Sequence, residues 1–572
     1  VAKQEQTRGL HIARSHYTSE KYHLTKPKMD TGGSREGQDW LGIEEASPFL
    51  GKQTKKAPVG WTSVANAVVV ALILAMPPIL LIFTGRLDAP AVWIKSTVAG
   101  LGVQPAESKK DMLLDGLLLP GFNEGSCASR YQSVYYRNNM TRSPSPYLIT
   151  RLQRRCGPGT EPYTRATERL KSGQKNVDTV DGCGYLVLVS YRGLGNRILA
   201  TVSAFLYAVL TDRVLLVDRM ETFGNLFCEP FRGATWLLPL DFPLQGYKDL
   251  WEGAAESYEN VTLHNNTGPA SEHRFVYLHL DHLATQANRL VYCDDHRQFL
   301  HRVQWVFLRT DGYIAPSFFL NPAYRDELDR MFPQKDSVFY VLSRYLLHPA
   351  NDVWGMVTRF YDSYLNNADE RLGIQIRVFD QDRPHQYILD QILACTSQEH
   401  LLPETISAGA AAPPPPRPTA GARGPRTSKA VLTTGLSGWY GESIRDMYWQ
   451  STTATGELLS VHQPSHEEHQ SMFRVRHDMK ALAEMYLLSM TDKIVTSGWS
   501  TFGYVGAALG GLTPYIMMRP ENRTVPDPPC RRAMFRKEYD VIIDNARMVP
   551  HVKACEDMPW GLKLTQPIAE NM

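Results

Sequence analysis

Cysteine is scarce and unevenly spread in this 572-residue chain: there are eight, none before Cys127, and no two spaced C-x-x-C. The missing pairs argue against a zinc finger or ribbon. An excess of charge of either sign is also missing. With 61 basic and 59 acidic side chains the formal net charge is +2. That excludes a chain built to coat a polyanion, so no nucleic-acid partner is expected. Charge is absent altogether from Ala57 to Gly85, whose apolar core is Val64 to Phe83, VANAVVVALILAMPPILLIF. About 20 apolar residues span a bilayer as a helix. A helix that long in a soluble protein would show a polar face, so 61–85 reads as a transmembrane helix. Pro77-Pro78 interrupts it, which a membrane helix tolerates. Its distance from the first residue separates it from a secretory signal peptide.

Orientation follows from what flanks the span. Lys52, Lys55 and Lys56 precede it; Arg86 and Lys95 follow, a small positive excess on the leading side. Everything after Arg86 carries four Asn-x-Ser/Thr acceptors, at Asn139, Asn260, Asn265 and Asn522, and all eight cysteines. Both features belong to an oxidising lumen. The expectation is a single-pass type II protein. Residues 1–60 form a mostly disordered cytoplasmic tail, 61–85 the membrane helix and 86–109 a stem. The folded body is lumenal.

Two stretches of the body alternate strand and helix. In the first, YLVLVS (Tyr185–Ser190) is a strand buried on both faces. Tyr191 to Arg197 is a turn, Ile198 to Leu210 an apolar helix, and Arg213 to Asp218 a second strand. Gly195, Asn196 and Arg197 therefore lie at the carboxyl end of a strand, where open α/β sheets bind ligands. A tight turn with a surface arginine has the same pattern. Arg302 to Leu308 reads as another strand, with Asp311 just past its end. That position suits a catalytic carboxylate, and equally a turn-capping one. Cys127 to Gly159 and Asp241 to Ala287 read as irregular and loop-rich.

In the second stretch, GIQIRVF alternates within a strand from Leu372 to Phe379. Arg377 inside it needs an anionic partner, either a diphosphate gripped by the guanidinium or a structural carboxylate. Further on come an amphipathic helix from Met479, a strand Lys493–Thr496, a loop Ser497–Gly503, a helix Tyr504–Leu509 and a strand Tyr515–Met518. A hydroxyl-rich loop between strand and helix offers backbone amides to an anion. A helix cap gives the same residues. Asp380-Gln381-Asp382 spells D-x-D, but a three-residue string recurs by chance, and no metal is expected. His462, His466, His469 and His477 lack zinc-like partners and read as a polar loop. Residues 408–428, rich in Ala and Pro, read as a disordered insertion.

Taken together, GLGNR, FLYAVLTDRVLLVDR, CEPF, LLPLDFP, HPANDVWG, GIQIRVFD, VHQPS, WSTFGYV, RPENRT and CEDMPWGLKL resemble one family, the plant galactoside 2-alpha-L-fucosyltransferases of glycosyltransferase family 37. The resemblance runs from about Lys110 to Leu564. It implies an α/β fold of GT-B type, with two Rossmann-like domains facing a cleft. Residues 110–367 would hold the acceptor and 368–545 GDP-fucose, with 546–572 packing back on the body. It also implies a Golgi membrane protein that transfers L-fucose from GDP-β-L-fucose, with inversion and without a metal or other cofactor. The acceptor would be O2 of a galactose on a cell-wall glycan such as xyloglucan. By the same resemblance Arg377, Ser500, Thr501 and Phe502 bind the donor, Gly195, Asn196 and Arg197 face the cleft, and Asp311 activates the acceptor hydroxyl. Other copies of the chain, or other glycosyltransferases, are expected partners. The insertion at 408–428 and the lack of a Cys- and Pro-containing stretch after Met534 depart from the family pattern. They leave a non-catalytic Golgi scaffold, or arabinogalactan as acceptor, as alternatives.

Overall fold

The computed structural model describes residues 151–533, apart from internal stretches of which 407–426 is the longest. The expected tail, membrane helix and stem, residues 546–572, Asn139, Asn265, the D-x-D string and most of the Pro-rich insertion lie outside the described residues. Among the described residues no helix is long and apolar enough to cross a membrane. All of them belong to one compact unit, residues 104–572.

Two sheets organise this unit. The first contains β1 (Gly184–Ser190), β2 (Arg213–Val217), β3 (Val276–His279) and β4 (Trp305–Thr310), in the order β2-β1-β4-β3. Every neighbouring pair in it is parallel. Parallel strands need helical crossovers, which cover both faces and force near-continuous apolar sequence. β1 shows it, with all seven residues buried. Leu186 and Leu188 point into one core with helix α2 (Leu194–Leu210). Tyr185, Val187 and Val189 point into another, beneath helix α1 (Glu161–Ser172). A Cys156–Cys183 disulfide ties residues ahead of α1 to the start of β1.

The second sheet has the order β12-β11-β10-β5-β7-β9. Its strands are β5 (Glu370–Ile376), β7 (Ser428–Gly435), β9 (Leu458–His462), β10 (Lys493–Ser497), β11 (Tyr515–Met517) and β12 (Arg531–Arg532). All neighbours are parallel except the β11–β12 edge pair. A separate two-residue ladder joins β6 (Thr405–Ile406) to β8 (Thr452–Thr453). Helices α3 (Asn351–Phe360), α4 (Gln386–Gln398), α5 (Gly438–Gln450), α6 (Val475–Ser489) and α7 (Thr501–Gly510) complete this half. A Cys395–Cys530 disulfide ties α4 to the β12 edge. Cys530 therefore keeps a partner although the chain lacks the family stretch after Met534.

Several boundaries differ from the sequence reading. Residues 151–156 are helical, and β3 lies inside the stretch read as loop. Arg302 ends a short helix, so β4 begins at Trp305. The helices after both candidate turns start earlier than expected. α2 begins at Leu194 and α7 at Thr501, so the expected turn residues are first helical turns. The weak helix formers there occupy the one turn where propensity matters least. At Gly503 only glycine lets α7 approach its own strand, because a Cβ would lie 1.8 Å from Thr496 Oγ1.

Candidate active site

In both sheets the strand order reverses at the centre. β1 leads to β2 on one side and has β4 on the other; β5 leads to β7 on one side and has β10 on the other. Such a reversal leaves a crevice at the carboxyl ends of the strands. The segments leaving β1, β4, β5 and β10 begin at Tyr191, Asp311, Arg377 and Gly498. Most of them converge on one cavity of about 360 Å³, lined by Gly195, Asn196, Arg197, Arg377, Ser500, Thr501 and Phe502. Its walls come from both sheets.

The two helix starts abut there. Gly195 lies so close to α7 that a Cβ would stand 2.7 Å from Thr501 Oγ1 and 2.8 Å from the Thr501 carbonyl carbon. Asn196 accepts from Thr501 Oγ1 at 3.0 Å and donates from Nδ2 to the Asp311 carbonyl oxygen at 2.7 Å. The first amides of a helix have no intrahelical acceptor and carry its positive dipole end. Two such ends open on this cavity: the cap residue of α2 is Gly193, which has no side chain, and the Ser500 side chain at the start of α7 makes no capping bond.

Arg377 is not inside the strand. β5 ends at Ile376, and Arg377 is the first residue beyond it. Its amide donates to Ser497 Oγ at 2.9 Å, and its Nη2 donates to Gln470 Oε1 at 3.0 Å. The guanidinium thus lies at the β5–β10 junction, where the Gln470 side-chain amide accepts from it. Partial burial lowers its pKa from the usual arginine value.

Arg197 faces the cleft as expected and lines the cavity, and it is not the surface arginine of a plain tight turn. It is 1% exposed. Its Nη2 donates to Asp478 Oδ2 at 2.7 Å and its Nη1 to Thr222 Oγ1 at 3.0 Å. Thr222 in turn donates to the same Asp478 oxygen at 2.5 Å. Arg197 belongs to the first sheet's half and Asp478 to α6 of the second. The pair is a buried clamp across the cleft floor.

Asp311 follows β4 directly but does not line the cavity. It is 2% exposed and its Oδ2 accepts from Arg192 Nε at 2.5 Å. Arg192 does line the cavity, and its backbone has φ 67°. A non-glycine residue held there costs about 1–3 kcal/mol and is a mark of functional loops.

Sequence reasoning assigned no role to other lining residues, among them Arg192, Glu467, Gln470, His477 and Glu484. The 463–471 segment, read as a plain polar loop, forms one wall. In it Glu467 accepts from Lys480 Nζ at 2.6 Å and pairs with His477 Nδ1 at 3.3 Å. The lysine hydrogen bond holds its carboxyl below the usual range. Glu484 sits on the buried face of α6 and accepts from the Ser465 amide at 3.2 Å. Burial raises its pKa to about 7. A glutamate between Leu482 and Leu488 on a helix's apolar side was a visible signal. The remaining histidines are dispersed: His462 packs against Tyr364 with the rings tilted, and among the described residues no three His, Cys, Asp or Glu side chains are grouped to hold a metal ion. Of the expected glycosylation sites, Asn260 lies in a short helix and Asn522 is exposed.

This geometry has known counterparts. Residues 88–538 match the family model for xyloglucan fucosyltransferase. A galactoside 2-alpha-L-fucosyltransferase of Arabidopsis thaliana is 47% identical over 485 residues, 82% of this chain and 85% of that protein. One from Pisum sativum is 48% identical over 496 residues, 81% of this chain and 84% of that protein. The solved structure of an Arabidopsis thaliana FUT1 mutant in complex with GDP has 45% sequence identity and a TM-score of 0.65. It covers 80% of this chain and 100% of its own. The matched region carries both sheets and the whole cavity between them, and the chain belongs to the xyloglucan fucosyltransferase family.

Proposed function

We propose that this chain is a galactoside 2-alpha-L-fucosyltransferase of GT-B architecture. It transfers L-fucose from GDP-β-L-fucose, with inversion, to O2 of a galactosyl residue on a cell-wall glycan such as xyloglucan. The observation that carries this is the convergence of Arg377 and the α2 and α7 helix starts on one cavity at both strand-order reversals. It is supported by the identity to galactoside fucosyltransferases along most of their length.

In the proposed reaction the bond between fucose C1 and the diphosphate breaks as galactose O2 bonds to C1 from the opposite face. Negative charge grows on the departing GDP. Arg377 and the amides at the start of α7 neutralise it, where a guanidinium binds phosphate oxygens bidentately. Gln470, which accepts from Arg377, yields that place to the diphosphate. Ser500, Thr501 and Phe502 form the wall beside it. The galactose hydroxyl loses its proton, and Asp311 is the assigned acceptor, with Arg192 moving from its carboxylate toward the acceptor sugar. No metal is assigned a role. In this reading the reacting galactose is held mainly by 110–367 and GDP-fucose by 368–545.

The uncharged run before the body, Asn260 and Asn522, and the Cys156–Cys183 and Cys395–Cys530 disulfides support a Golgi type II protein with a lumenal body. The test is to express the body and offer labelled GDP-fucose with galactosylated xyloglucan and, separately, arabinogalactan. Label on galactose O2 of xyloglucan is expected. Folded, GDP-binding protein that labels no galactoside would refute the assignment, and label on arabinogalactan alone would move the acceptor.

A further inference from the structure

Three large aromatic side chains of the second half are left exposed by the fold. Tyr364 is 51% exposed, Trp439 37% and Trp449 84%. A cavity of about 330 Å³ lies between Tyr364 and the helix that carries both tryptophans, lined by Tyr364, Glu442, Arg445, His462 and Gln463. It is separate from the proposed transfer site, yet one loop walls both. Ser465 and Glu467 line the first cavity, whereas Gln463, Pro464 and His466 line this one.

The chemistry of this face is specific. Trp439, Glu442, Arg445 and Trp449 follow at spacings of three, three and four along α5, so they form one stripe. The stripe spans about 15 Å at 1.5 Å per residue. Tyr364 lies in a π-helical turn, Tyr361–Leu365, that continues α3. Such turns are frequent at functional sites because they push one residue out of the helical register. Its ring centroid lies 4.8 Å from that of Phe360 and 4.9 Å from that of His462. Ring faces beside a carboxylate, a guanidinium and an amide match a sugar ring, which has apolar C–H faces and hydroxyl edges.

We propose that this cavity and the α5 stripe bind a neutral polysaccharide, namely the part of the acceptor chain beyond the reacting galactose. This rests on the transferase reading. A polymeric acceptor seated in the first cavity must leave it across a neighbouring surface, and the 463–467 loop joins the two sites. The rings of Tyr364, Trp439 and Trp449 take the sugar faces. Glu442 and Arg445 take the hydroxyls.

Three variants test it: Trp449→Ala, Tyr364→Ala and Arg445→Ala. Trp449 and Arg445 are exposed, so their loss leaves the core intact. KM is measured for polymeric galactosylated xyloglucan, for a small galactoside and for GDP-fucose. The aromatic variants are expected to raise the polymer KM about tenfold, the usual effect of removing an anchor. The other two constants stay unchanged. An unchanged polymer KM overturns the proposal, as does an equal rise for the small galactoside. A loss of self-association in sedimentation with the polymer KM unchanged also overturns it and makes the face a protein interface. Xyloglucan oligosaccharide is also titrated directly into wild type and Trp449→Ala without donor. Binding that weakens in the variant supports the subsite even if no transfer occurs, and equal or absent binding refutes it.

Discussion

Replacing Arg197 separates a clamp from a ligand site. Its guanidinium and Asp478 are almost fully enclosed, 2.7 Å apart, with Thr222 bonded to both. Removing one member of such a buried pair strands the other charge, at a cost of about 3–5 kcal/mol. Arg197→Ala and Asp478→Ala should therefore each destabilise the body by about that amount. Replacing both by apolar residues of similar size, Arg197→Met with Asp478→Leu, removes both charges together and is often neutral or stabilising. The double variant should recover most of the loss. The assay is urea unfolding of the lumenal body followed by tryptophan fluorescence, with GDP affinity by calorimetry on each variant. A double variant that regains stability and still binds GDP supports the clamp. If Arg197→Ala left stability unchanged and abolished GDP binding, the side chain would be a donor ligand and the reasoning wrong.

Other predictions follow from the same geometry. Gly195→Ala forces a methyl against Thr501 and the Phe502 amide, at 2.7 and 3.0 Å respectively. Overpacking costs about 1–3 kcal/mol and a displaced helix start can cost about 100-fold in rate. Kinetics should show a fall in kcat/KM larger than the loss of thermal stability implies. Glu484 titrates near 7 when folded against 4.5 ordinarily, so folding favours its protonated form. Its contribution is fully present below about 4.5 and lost as pH rises to about 7, on the order of 3 kcal/mol in all. Glu484→Gln should flatten that part of the stability–pH curve, and an unchanged slope would show that Glu484 is not its source. Cys395→Ala with Cys530→Ala opens a link across 135 residues. A loss of about 2–5 kcal/mol is expected on unfolding by urea, and none would mean that the bond is not formed.

How much of this was legible in the sequence depended on whether the signal was local. β1 could be read because a strand buried on both faces is almost continuously apolar, and β10, KIVTS, by its β-branched run. β3 was not, since four residues, VYLH, in a polar stretch show neither length nor alternation. The placement of Arg197 was illegible because its partner is 281 positions away. Sequence gave the donor group but not its direction. Arg377 was read one register too deep: strands end where pairing stops, and its amide bonds a serine hydroxyl instead of a strand carbonyl. Asp311 was placed correctly past a strand end, while its pairing with Arg192 depends on a loop backbone at φ 67°. The converging functional turns were legible only through the family resemblance, since a hydroxyl-rich cap and an anion site have the same local spelling.

The most direct test of the central claim is calorimetric titration of GDP into the wild-type body and into Arg377→Ala, with circular dichroism to verify the fold. The account predicts tight binding to wild type. It predicts a loss of about 10–100-fold in the variant, the worth of a charged hydrogen bond to phosphate. Equal affinity in both proteins would contradict it, because the diphosphate would then lie elsewhere than between Arg377 and the start of α7.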